Sequence, residues 1–135
     1  MELMIRIGRV VYLAAAWLFV AGVTIQVFLV GMVVVAGQMG WESHIDLGHM
    51  LAGPLLLMLI AMYAGRMAGS TKRMTWLLFV VYALQADVLI FLRGSAPALS
   101  ALHPVLALVD FALGLSLALR AWPGVIGVKV PGDQS

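Results

Sequence analysis

The chain has 135 residues, 64% of them hydrophobic and only 10% charged, with a net charge of +2 and a mean hydropathy of +1.08. A soluble domain carries about 25% charged residues, so this chain lacks the polar surface to stay in water and reads as an integral membrane protein. The absence of cysteine excludes a disulfide framework, a thiolate metal site and a cysteine nucleophile, and the lack of a basic cluster interleaved with aromatics excludes a nucleic-acid partner.

Four apolar runs reach the ~20 helical residues that a bilayer core requires. The first is predicted from about Val10 to Gly37. Arg6 and Arg9 precede it as they would a signal peptide, but the run far exceeds a signal core of ~7–15 residues and no clear cleavage site follows, so it reads as a retained helix. The second runs from about His44 to Ala64. Ser43 followed by Asp46 has the S-x-x-D form of a capping box, which makes His44 the first helical residue. Trp41, just outside, suits the headgroup level. Helical spacing puts His44, Gly48, Leu51 and Leu55 on one face, with His49 about 140° away.

The third helix is predicted from about Thr75 to Leu92. Gln85 and Asp87 are two residues apart and project to nearly opposite sides. With Gln85 inward, Asp87 faces lipid or a partner, which suggests a homo-oligomer or a larger membrane complex. The fourth runs from about Leu102 to Ala121. Proline is tolerated only near a helix start, so Pro104 places His103 within one turn of that start. Asp110 follows His103 by seven residues, on the same face and about two turns deeper. An isolated carboxylate is costly there. It calls for a hydrogen bond to Gln26, Thr24 or a neighbouring subunit, or for a proton path.

Short loops favour an all-α, up-down-up-down four-helix bundle over residues 1–122, with unbroken spans. Residues 123–135, rich in Gly and Pro, read as an irregular cytoplasmic tail. Arg6, Arg9, Arg66, Lys72, Arg73, Arg120 and Lys129 fall on one side of this arrangement and only Arg93 on the other. The positive-inside rule then puts both termini in the cytoplasm, here of a bacterial inner membrane, with His44, His49 and His103 near the outer face.

An internal repeat sharpens this picture. Gln26 precedes His44 by eighteen residues and Gln85 precedes His103 by the same number; the two pairs are offset by 59. The same offset relates Gly48 to Ala107 and Gly53 to Ala112. This predicts a duplicated helical hairpin with pseudo-two-fold symmetry, each copy bringing one histidine to matching depth. Two inward histidines on diagonal helices meet the demand of a bis-histidine haem. The small residues Gly22, Gly31, Gly48, Ala52, Gly53 and Ala107 leave room for a macrocycle or, equally, allow close helix packing. Gln26 and Gln85 are expected to support the site or to bond across helices. Arg93 is expected to pair with Asp87 or with a haem propionate.

The stretch from Leu84-Gln85 to His103-Pro104-Val105-Leu106-Ala107 resembles one half of a haem A synthase. Gln26 through Gly31 resembles the first helix of such a half, and Glu42-Ser43-His44 the opening of the second. The likeness is loose, rests on short motifs and covers most of residues 20 to 115. The chain also resembles an uncharacterised family of small bacterial four-helix membrane proteins with an A-L-H-P motif, here Ala101-Leu102-His103-Pro104. The resemblance implies His44 and His103 as axial ligands of haem b. It departs from the synthases where Trp41 stands in place of a functional glutamate, where Ile45 follows His44 in place of an arginine, and where no outer cysteine pair exists. It therefore implies haem binding and electron transfer rather than synthase chemistry.

The alternatives are a cofactor-free structural or accessory subunit, and a small proton or ion transporter using Asp87, Asp110 and Gln26, against which unbroken spans would count. Further variants are a Cu or Zn site of His44, His49 and His103, and a (bacterio)chlorophyll held by one histidine. No nucleophile elbow, phosphate loop or H-E-x-x-H is present.

Overall fold

In hydrocarbon every backbone N–H and C=O needs an internal partner, so long apolar runs of this kind fold as helices. A computed structural model describes residues 1–127. Its elements are α1 (Glu2–Val34), α2 (Glu42–Met50), α3 (Ala52–Ala64), α4 (Gly69–Ala83), a π-helical segment (Leu84–Val88), α5 (Leu89–Phe91), a 3-10 turn (Leu92–Gly94), α6 (Pro97–Ser100) and α7 (His103–Ile126). They make four spans long and apolar enough to cross a membrane: Glu2–Val34, Glu42–Ala64, Gly69–Gly94 and Pro97–Ile126. The protein is an all-helical, multi-pass membrane bundle.

Three of the spans are interrupted, contrary to the expectation of unbroken helices. Two interruptions follow from proline, which has no N–H and whose ring clashes with the carbonyl four residues back. Pro54 ends α2 at Met50, and Pro104 ends α6 at Ser100. The third is the π segment, where one wide turn shifts the register of the third span. Other boundaries move as well. The first helix starts at Glu2 rather than Val10 and ends at Val34, ahead of Gly37 in the left-handed region. The capping box does not form: the chain is already helical at Glu42, Trp41 is the N-cap, and no side chain caps the end. The last helix continues through Pro123 to Ile126, where the amide of left-handed Gly127 closes on the Pro123 carbonyl. That corrects the start of the irregular tail; residues 128–135 lie outside the described residues.

The core occupies one half of the bundle. It is built from Tyr12, Ala16 and Phe19 on α1, Leu55, Met58 and Met62 on α3, Leu78 on α4, and Leu117 and Ala118 on α7. Gly8 and Gly65 bring α1 and α3 into backbone contact, and Arg9 Nε donates to the Gly65 carbonyl at 3.1 Å. Thr75 donates its hydroxyl to the Thr71 carbonyl at 2.9 Å, so the 2.6 Å bond between Tyr12 and Thr75 is donated by Tyr12. Both residues are buried. The other half is open. From Thr24 to Met50 no residue is buried, and from Ala83 to Val109 only Leu89 is. Both histidines of the repeat lie within these two stretches.

Candidate cofactor site

His44 is the third residue of α2 and His103 the first of α7. Although 59 residues apart, their rings meet edge to face with centroids 6.2 Å apart and planes at 68°. Both side chains are half-buried. Trp41, one helical turn before His44, sets its ring edge-on to the imidazole at 5.7 Å. This contact comes from the i, i+3 spacing, which the interfacial reading of Trp41 overlooked.

The eighteen-residue pairs are contacts in both copies, by different atoms. Gln26 Nε2 donates to the His44 backbone carbonyl at 2.9 Å. In the other pair His103 Nδ1 donates to the Gln85 backbone carbonyl at 3.1 Å. The second contact depends on the π segment, whose wide turn carries Gln85. It also fixes the tautomer. With its proton on Nδ1, the neutral ring of His103 keeps the Nε2 lone pair for a ligand, the usual orienting bond of a metal-binding histidine.

Several polar atoms in this half are buried with no hydrogen-bond partner: Gln26 Oε1, His44 Nδ1, Gln85 Oε1 and both carboxylate oxygens of Asp110. Buried polar atoms in proteins are almost always paired. Asp110 is completely buried on α7 and bonds to neither Gln26 nor Thr24; the Thr24 hydroxyl instead donates to its own helix at the Val20 carbonyl. Tyr82, which sequence reasoning missed, reaches across from α4 and donates to the Gly48 carbonyl at 2.6 Å, bracing the second span next to its break. A lone tyrosine in an apolar run gives no sign of this partner.

The small residues divide. Gly22 is filled by the Leu51 side chain, and a Cβ on Gly48 would stand 2.9 Å from Gln26 Nε2. These two glycines allow close packing, the other role their size permits. Gly53 and Ala112 are exposed on the outside of the bundle. Gly31 has nothing within 4 Å of a built Cβ, and Ala107 is half-buried one turn beyond His103. Arg93 lies exposed in the 3-10 turn. Gln85 is half-buried and Asp87 exposed, on the sides their spacing predicts.

Among the described residues no three His, Cys, Asp or Glu side chains gather as a metal group. The Cu or Zn variant therefore lacks its third ligand: His49 is exposed, turned away from the pair. His44 and His103, with ring centres 6.2 Å apart, are the side chains that would hold a metal-bearing group between them.

The model of a family of unknown function (DUF6220) matches residues 26–89, a window that opens on Gln26 and holds His44 and Gln85 but stops short of His103. No curated protein matches the chain, and no solved structure does.

Proposed function

We propose that this protein is a small b-type membrane cytochrome that transfers electrons through one haem held by His44 and His103. The observation that carries the reading is the histidine pair: two rings from separate spans with centres 6.2 Å apart, one of them oriented through Nδ1 by a backbone carbonyl. Two protein donors make a metal centre only if the bound group brings its own equatorial ligands, which a tetrapyrrole does. The open half of the bundle offers the apolar surroundings such a group requires, and the unpaired atoms of Gln26 and His44 offer polar ones.

In this reading the haem supplies a one-electron couple, and the chain supplies everything that tunes it. His103 is held in the ligating tautomer by Gln85. His44 is positioned through its backbone by Gln26 and through its ring by Trp41. Arg93, in the turn at the same end, is available to a propionate. In this reading both termini are cytoplasmic and the histidines lie toward the outer leaflet of a bacterial inner membrane, an orientation that the distribution of basic residues supports.

The test is a reduced-minus-oxidised absorption spectrum of detergent-purified protein beside His44→Ala and His103→Ala. A low-spin b-type spectrum abolished in both variants is expected. A colourless wild type produced with ample haem would overturn the reading. A second reading, a homo-oligomer or subunit of a larger complex, is favoured by Asp87, a carboxylate exposed within a span. An Asp87→Ala variant with unchanged size in native electrophoresis would remove it.

A further inference from the structure

Asp110 is the buried group that the haem reading leaves unused. It is completely buried, both carboxylate oxygens lack partners, and it lies seven residues below His103, about 10 Å along the helix axis. One turn deeper, Gly114 packs against Phe19 and Val20 of α1, so Asp110 sits where the closed core ends and the open half begins. Polar groups continue from that depth toward the histidines. The Tyr82 hydroxyl is on the Gly48 carbonyl, Gln26 packs on Gly48 and bonds the His44 carbonyl, and the Gln85 carbonyl holds His103. The side-chain oxygens of Gln26 and Gln85 are unpaired along the way.

We propose that Asp110 is a proton-binding site that takes up a proton when an electron is delivered to the His44–His103 centre, an inference that rests on the haem reading above. An electron lowers the charge of a bis-histidine haem core by one, from +1 to 0, so an ionised carboxylate about 10 Å away would lose an attraction that a poorly screening medium makes strong. At an effective dielectric of about 20, that interaction changes the proton affinity of the carboxylate by roughly 10- to 20-fold. Few other titratable groups lie on the spans around Asp110. The first span carries no charged residue after Arg9. The third offers Tyr82, within electrostatic reach of both Asp110 and Asp87, and the second and fourth offer the two histidines themselves. No base is hydrogen-bonded to it.

The step balances simply. One electron from an external one-electron donor would reduce the centre, and one proton would pass from hydronium in the aqueous phase to the Asp110 carboxylate, an O–H bond breaking on the hydronium as one forms on the carboxyl. Oxidation releases both.

The experiment is a potentiometric titration of the haem-loaded protein across a series of pH values, beside Asp110→Asn and Asp110→Glu. The midpoint of the wild type is expected to fall as pH rises, by at most about 59 mV for each tenfold change in proton concentration. Over the whole window the affinity change above converts to roughly 60–75 mV. Asp110→Asn should keep the b-type spectrum and lose that dependence, while Asp110→Glu keeps it. An independent readout is infrared difference spectroscopy of wild type carrying isotope-labelled aspartate. A protonated-carboxyl band should appear on reduction, shift with the label and be absent from Asp110→Asn. A slope that survives in Asp110→Asn, or a difference spectrum without the aspartate band, overturns the proton coupling while leaving the cytochrome intact. A protein with no haem spectrum overturns both.

Discussion

The close crossing of α1 and α3 makes a quantitative prediction for Gly8→Ala. A methyl on Gly8 would run into the Gly65 amide nitrogen, and would stand 2.8 Å from both the Ala64 carbonyl carbon and the Gly65 Cα. An ordinary contact begins at 3.4 Å, so the two helices must part by at least about 0.6 Å. These are backbone atoms, which cannot swing aside as the tip of a side chain can. Overpacking of this kind costs about 1–3 kcal/mol. The same movement stretches the bond from Arg9 to the Gly65 carbonyl, which places the expected loss near 2–3 kcal/mol, a 30-fold or larger shift in the unfolding equilibrium. Unfolding by a rising mole fraction of dodecyl sulfate in mixed micelles, followed by circular dichroism, measures it. Gly124→Ala is the control at the same end of the bundle: nothing lies within 4 Å of its built Cβ, so it should be neutral or stabilising by at most about 1 kcal/mol. If Gly8→Ala unfolds like the wild type, the helices are not in backbone contact and the closed core is misplaced.

A double-mutant cycle of Tyr12→Phe and Thr75→Val should return a coupling of about 0.6–1.7 kcal/mol, the range for buried bonds between membrane helices; zero coupling would mean the hydroxyls do not meet. The two glutamines of the repeat should behave differently. Gln26→Leu removes the bond to the His44 carbonyl and is expected to weaken haem retention severalfold, whereas Gln85→Leu leaves the carbonyl that orients His103 and should retain haem; equal losses in a haem-retention assay would contradict this asymmetry. Since the chain has no cysteine, single replacements report topology directly. Gln38→Cys and Ser95→Cys should react with an impermeant maleimide in intact cells, and Ser70→Cys only after lysis. The reverse pattern would invert the proposed orientation.

The four spans were legible because apolar runs of this length have only one stable form in lipid. Their interruptions were harder to see. Pro54 marks a break at Met50 in retrospect, but a proline within a membrane helix is often absorbed by its neighbours. The π segment has no composition of its own, since Leu84 to Val88 reads like any helical stretch. Ser43 and Asp46 failed as a capping box because the chain enters the helix at Trp41, and a capping motif cannot report the conformation of the residue before it. The histidine pair was legible as a spacing, and the structure does bring the two rings together. What the spacing could not carry was the identity of the atoms. One glutamine acts through its side chain and the other through its backbone, a difference decided by local helical register. Tyr82 and the solitary burial of Asp110 depend on contacts across spans, beyond the reach of any single helical face.

The division of the bundle into a closed half and an open one bears on the order of its biogenesis. The packing that holds the spans together, from the Gly8–Gly65 crossing to Leu117 and Ala118, lies away from the histidine end and needs nothing bound there. The newly inserted chain can therefore complete its scaffold in the bilayer with nothing bound at the histidine end. If the proposed haem is bound, its loading would then be a maturation event of a finished protein rather than a condition for its folding.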